Sequence, residues 1–242
     1  MKKAMWWAAV AVMAVVGCAN APVEQKIKDF QAQIEQYEKT FSEELVTIRQ
    51  NAGLTAEQQT EAVSELEDKI AAQIKEHSVH RLYRGIVIGR VNLPALSNDE
   101  IFDGVIESTI GRHPQNRKKM AMNVPNGKDA VTHYRVLSHL TDPENGREFT
   151  YMEFRLETGR THQIRVHMAG IGHPLLGDYV YATSPTMRNI NNQYIEKYTL
   201  VGQTLHAMTI GFTHPRSGKY MEFSADLPEY FKELLEILTF SG

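Results

Sequence analysis

The feature that most constrains this chain is a single change of hydrophobic period. From Val23 the apolar residues fall at Val23, Ile27, Phe30, Ile34, Tyr37, Phe41, Leu45 and Ile48, three or four apart. That spacing lays one apolar seam along a helix. Asn51-Ala52-Gly53 is a stop signal. Thr55 with Gln58 then has the form of a capping box, opening a second helix through Val63, Leu66, Ile70 and Ile74. From Leu82 onward the texture becomes β-branched and alternating, so a helical pair precedes a sheet.

Charge divides at the same place. Residues 19–76 carry 6 Lys/Arg against 12 Asp/Glu, a balance of -6, whereas residues 77–219 carry 17 against 12, a balance of +5. The formal net charge of -3 conceals this. A chain with 42% hydrophobic and 23% charged residues is neither wholly disordered nor a multi-span membrane protein. One Cys excludes an internal disulfide framework and a cysteine-based zinc cluster.

The chain divides into three segments: a leader over 1–18, a helical hairpin or coiled coil over 19–76, and a sheet-rich portion over 77–242. The leader has Lys2 and Lys3, an apolar run from Ala4 to Val16, then Gly17-Cys18. Val15-Val16-Gly17-Cys18 resembles a bacterial lipobox, which implies lipidation at Cys18 and anchoring to a membrane face. The alternative is a buried apolar helix with an incidental Cys. The helical segment reads as a spacer or oligomerisation element, or as an amphipathic pair packed on the sheet-rich portion. It carries no titratable pair or metal-ligand spacing.

In the third segment, strands are expected over 82–89, 104–110, 131–140, 148–157, 205–212 and 220–223. Asp142-Pro143-Glu144-Asn145-Gly146 supplies a turn, Thr161 is placed to cap a short helix to about Ile171, and Leu227-Pro228-Glu229 opens another through Leu238. In the strand over 148–157 the alternation predicts one face buried more than the other. The plan is α+β with a mostly antiparallel mixed sheet.

The densest polar cluster is Arg155-Leu156-Glu157-Thr158-Gly159-Arg160-Thr161-His162-Gln163-Ile164-Arg165-Val166-His167. Guanidinium groups in such a cluster grip phosphates or pair with a buried carboxylate. His162 and His167, five apart with no carboxylate between them, are poorly spaced for a metal, and no metal site is expected. A second basic run, Arg112-His113-Pro114-Gln115-Asn116-Arg117-Lys118-Lys119-Met120, suggests with the first a polyanion such as RNA backbone.

Gly159-Arg160-Thr161-His162-Gln163-Ile164-Arg165-Val166-His167 with Gly172-His173-Pro174-Leu175-Leu176-Gly177-Asp178 resembles the signature of RluA-type RNA pseudouridine synthases. Gly111-Arg112-His113-Pro114, Thr132-His133-Tyr134-Arg135-Val136-Leu137, Leu205-His206-Ala207 and Phe212-Thr213-His214-Pro215 match in order and spacing, from about residue 70 to 238. The resemblance implies a pseudouridine synthase catalytic domain that isomerises uridine in structured ribosomal or transfer RNA, without cofactor or metal. It implies that Tyr134 contacts the flipped base and that Arg165 orients the catalytic Asp. It also implies that Arg160 and His162 support that loop, while Arg112, Arg117, Lys118 and Lys119 meet RNA phosphates.

One departure matters. The family nucleophile lies in His-Arg-Leu-Asp-x-x-Thr-Ser-Gly, but here His80-Arg81-Leu82 is followed by Tyr83, and no Thr-Ser-Gly occurs. The expectation is a truncated domain in which Arg165 is unpaired or re-paired and Asp178 belongs to a separate structural motif. Three readings remain: a synthase homologue inactive alone, a non-catalytic RNA-binding module, and an envelope lipoprotein whose helical segment is the functional part.

Overall fold

A computed structural model describes residues 78–92 and 104–241 apart from 201 and 216, together with single positions between 55 and 76. The expected leader, Cys18 and the first helix lie outside the described residues. The strands are β1 (His80–Ile88), β2 (Gly104–Arg112), β3 (Met120–Met122), β4 (Lys128–Thr141), β5 (Glu148–Leu156), β6 (Leu205–Thr213), β7 (Tyr220–Ser224) and β8 (Thr239–Ser241). The helices are α1 (Gln163–Gly170), α2 (Pro185–Tyr198) and α3 (Glu229–Ile237). One sheet runs in the order β3-β2-β4-β5-β1-β6-β7, with β8 added to β4. Every strand pairing among the described residues is antiparallel, so the sheet is not mixed.

Period-2 alternation sends the two sides of each central strand into different cores. On one face Tyr83, Val87, Tyr134, Met152, Phe154 and Leu156 pack with Ile164 and Met168 of α1. On the other Ile86, Ile88, Phe149 and Tyr151 pack with Tyr194 of α2 and with Phe231 and Leu234 of α3. β5 is therefore buried on both faces, with less difference between them than its alternation predicts. Glu153 is accommodated in that interior by two cations. Arg135 Nη2 lies 2.6 Å and Arg84 Nε 3.4 Å from its carboxylate.

The Asp142 turn forms as its residues require. The Asp142 carboxylate accepts from the Glu144 amide and Asn145 Nδ2, each at 2.9 Å, and from the Tyr194 hydroxyl. Two helix starts differ from expectation. Thr161 does not cap α1; His162 occupies the cap in a left-handed conformation (φ 58°) without a side-chain cap bond. α2 has no counterpart among the expected elements, although Ser184-Pro185 marks its start: Ser184 Oγ accepts from the Met187 amide at 3.2 Å.

The second helical segment is partly described. Its capping box is present, with the Thr55 amide donating to Gln58 Oε1 (2.8 Å) and the Gln58 amide to Thr55 Oγ1 (3.3 Å). Gln73 then joins the sheet. Its Nε2 donates to the Thr213 carbonyl (2.6 Å) and its Oε1 accepts from the Thr213 amide (2.9 Å). The side-chain amide continues the β6 ladder just beyond His80, where β1 begins.

Phe154 is fully buried at the centre of the first core. Phe154→Ala is expected to lower the unfolding free energy by about 3–5 kcal/mol, measured by denaturant titration, because a filled cavity is emptied.

Candidate active site and RNA-facing surface

The site is assembled where β5 turns into α1. Gln163 closes that turn: its Oε1 accepts from the Arg160 amide (3.0 Å) and Thr158 Oγ1 (2.8 Å), while Nε2 donates to the Val131 carbonyl and Thr132 Oγ1, each at 2.9 Å. One buried amide thus uses all of its hydrogen-bonding capacity. His167, one helical turn on, is fully buried between Thr132 Oγ1 and Ser108 Oγ, 2.9 Å from each. Burial pushes its pKa down from 6.5 to about 4. These bonds fasten α1 to β4 and β2.

Arg165 points from α1 into a buried, bidentate ion pair. Its Nε and Nη2 each lie 2.8 Å from Asp178, which has no exposed surface. Arg165 is therefore not left unpaired: Asp178, expected in a separate structural motif, is bonded to it. Asp178 Oδ1 also accepts from the amides of Val180 (3.0 Å) and Tyr181 (3.1 Å). Tyr181 folds back so that its ring lies 5.0 Å from the Arg165 guanidinium. Its hydroxyl accepts from the Met120 amide (3.0 Å) and shares a hydrogen bond with His162 Nδ1 (2.8 Å). Burial, and then the Arg165 charge, hold the His162 pKa below its ordinary value.

Through Met120 the basic run reaches the same place. Arg112 and the turn after it hold an ordered conformation: His113 Nδ1 accepts from the amides of Gln115 and Asn116 (3.1 Å each), and Arg112 Nη1 donates to the Arg117 carbonyl (3.2 Å). Arg112, Arg117 and Lys118 are exposed and Lys119 half-buried. Arg160 Nε donates to the Asp129 carbonyl (2.8 Å).

Tyr134 lies in a cross-strand row of Gly104, Tyr134, Phe154, Tyr83 and Ala207. Its ring covers Gly104, where a Cβ would sit 2.5 Å from the Tyr134 hydroxyl oxygen, so a side chain there would displace the tyrosine. Tyr134 retains 9% exposure.

Residues 58–170 match the family model described as RNA pseudouridylate synthase. Ribosomal large subunit pseudouridine synthase D of Zymomonas mobilis is 40% identical over 174 residues, 72% of this chain and 49% of that protein. An uncharacterised RNA pseudouridine synthase of Bacillus subtilis is 42% identical over 175 residues, again 72% of this chain and 49% of the relative. Over these residues the chain matches the RNA pseudouridylate synthase family. The chain spans about half the length of these curated relatives. The fold agrees. Human RNA pseudouridylate synthase domain containing 1 superposes with TM-score 0.54 at 23% identity, covering 72% of this chain and 64% of that one. Human RNA pseudouridylate synthase domain containing 4 gives 0.50 at 21%, covering 72% and 68%.

Within the synthase portion, the structure joins Arg165, His162 and the basic run through Tyr181. It places Tyr134 on β4, in the first core. Sequence reasoning missed Tyr181 and the partnership of Asp178. The signal was Asp178-Tyr179-Val180-Tyr181, since an Asp that accepts from amides two and three residues on fixes the turn presenting Tyr181.

His167 makes stability depend on pH. Its folded pKa of about 4 lies below its ordinary 6.5, so the unfolded chain binds the proton first as pH falls. Its contribution is complete above about pH 6.5 and is lost towards pH 4. The unfolding free energy is expected to drop by about 2 kcal/mol from this group between pH 7 and 5. His167→Gln should flatten that part of the profile, as read by denaturant titration at each pH.

Proposed function

We propose that residues 77–242 are the RNA-facing portion of a pseudouridine synthase domain, that they bind structured ribosomal or transfer RNA, and that this chain by itself does not isomerise uridine. The observation that carries the reading is the state of Asp178. It is the carboxylate bonded to Arg165, it is wholly buried, and two guanidinium and two amide donors occupy it. A carboxylate so engaged is not available as a nucleophile. The sequence contains no His-Arg-Leu-Asp-x-x-Thr-Ser-Gly to provide another.

In this reading Arg112, Arg117, Lys118 and Lys119 meet RNA phosphates, while Arg160 and His162 hold the turn before α1. Tyr134 faces the target base with the edge it leaves exposed. Arg165 positions the turn over 178–181. The relatives named for the ribosomal large subunit support ribosomal RNA as the first substrate to examine. No cofactor is required.

The test is tritium release from RNA labelled at C5 of uridine, together with filter retention of the same RNA. Release is expected at background. Retention is expected to weaken with salt with a log–log slope of about -3 to -4, from about four phosphate contacts. Release above background that disappears in Tyr134→Ala or Arg165→Ala overturns the absence of turnover. A flat salt response overturns the RNA-binding surface.

A further inference from the structure

Three buried or half-buried guanidinium groups of this domain face a carboxylate. Arg165 has Asp178, and Arg84 and Arg135 share Glu153. Arg81 does not. It lies on β1 two residues before Tyr83 and is 7% exposed. Among the described residues its Nη2 makes one long contact, 3.5 Å from the Glu157 carbonyl, and its Nε is buried without a hydrogen-bond partner. The nearby Glu157 carboxylate is directed to His133, 3.1 Å away.

The turn from β5 to α1 is shaped around this group. A Cβ on Gly159 would lie 2.5 Å from Arg81 Nη1, so any side chain there would push the guanidinium aside. Burial depresses the Arg81 pKa, the nearby Tyr83 opposes that, and the charge of Arg160 adds to it. Guanidinium nevertheless stays protonated in proteins, so a positive charge is held here without a counter-ion among the described residues. Arg160 is half-buried beside it. It spends Nε on the Asp129 carbonyl, and its terminal nitrogens have no partner among the described residues. Keeping a buried cation unpaired is costly for a fold, and the cost is relieved when an anion arrives.

We infer that Arg81 and Arg160 form an oxyanion site at the turn between β5 and α1, which takes one phosphodiester of the bound RNA. The inference rests on the RNA-binding reading above and adds a contact that the exposed basic run does not include. The planar fork of a guanidinium matches two oxygens of one phosphate, and the dry surroundings strengthen each bond. Two adjacent guanidinium groups suit an oxygen-rich phosphate better than a single carboxylate.

The full chain is compared with Arg81→Met and Arg81→Lys, using an end-labelled RNA hairpin as the probe between 50 and 200 mM salt. Arg81→Met is expected to weaken hairpin binding about tenfold and to reduce the salt slope by about one. Its Tm should be unchanged or raised, because a buried charge without a counter-ion has been removed. Arg81→Lys should restore the slope but not the full affinity, having the charge without the fork. An Arg81→Met variant that binds the hairpin like the unmodified chain overturns this inference and leaves the RNA-binding reading intact, whichever way its Tm moves. If the unmodified chain retains no hairpin, the broader reading fails, and inorganic phosphate decides the site. A Tm that rises with phosphate over chloride at matched ionic strength, in the unmodified chain but not in Arg81→Met, supports an oxyanion site. An equal response of both chains overturns it, as expected if Arg81 serves a protein carboxylate.

Discussion

Two charges removed from water, Arg165 and Asp178, organise the site. Burying either alone would cost several kcal/mol, and their mutual attraction offsets that only with good geometry and with the remaining oxygen lone pairs satisfied. Both conditions hold here. The contact is bidentate at 2.8 Å, and the Val180 and Tyr181 amides complete the carboxylate. The pair thereby fixes a turn as well as a side chain. That turn sets the Tyr181 ring against Arg165 and its hydroxyl between Met120 and His162. A helix, a turn after it and an edge hairpin are thus tied at one point.

The sheet supplies the rigidity this arrangement needs. β5 is buried on both faces, and α1 is stitched to it and its neighbours by polar side chains that leave little unsatisfied. Gln163 and His167 between them bind Thr132, Thr158, Ser108 and the Val131 carbonyl. Networks of this kind specify one packing of a helix on a sheet, since any shift leaves several buried polar groups without partners. Arg81 is one departure from this pattern among the described residues, its buried Nε lacking a hydrogen-bond partner, and it lies against Gly159 in the turn before α1.

Much of this was legible from residue patterns because those patterns report local physics. Alternating apolar residues located six strands to within a few positions, and Asp142 with Gly146 marked their turn. Thr55 and Gln58 form the reciprocal cap their spacing implied. The motif around residues 159–167 pointed to the family. What was hidden depended on tertiary packing. Burial of β5 on both faces comes from helices on either side, which alternation within one strand does not report. His162 caps α1 because Gln163 and Tyr181 hold that turn, overriding the local preference of Thr161. The partner of Arg165 comes from a residue thirteen positions on, joined by a turn whose sequence signal by itself points to a separate structural motif.

The division of charge acquires a structural setting. The basic portion is the sheet with its exposed hairpin and the turn before α1, while the acidic segment reaches it through Gln73 at the end of β6. The site depends most on Arg165 and Asp178 acting as one unit. A double-mutant cycle with Arg165→Met and Asp178→Leu, read by denaturant unfolding, tests this directly. Each single substitution should cost about 3–5 kcal/mol by stranding a buried charge, and the double substitution no more than either alone. Additive losses would show that the two residues act independently and would contradict the account.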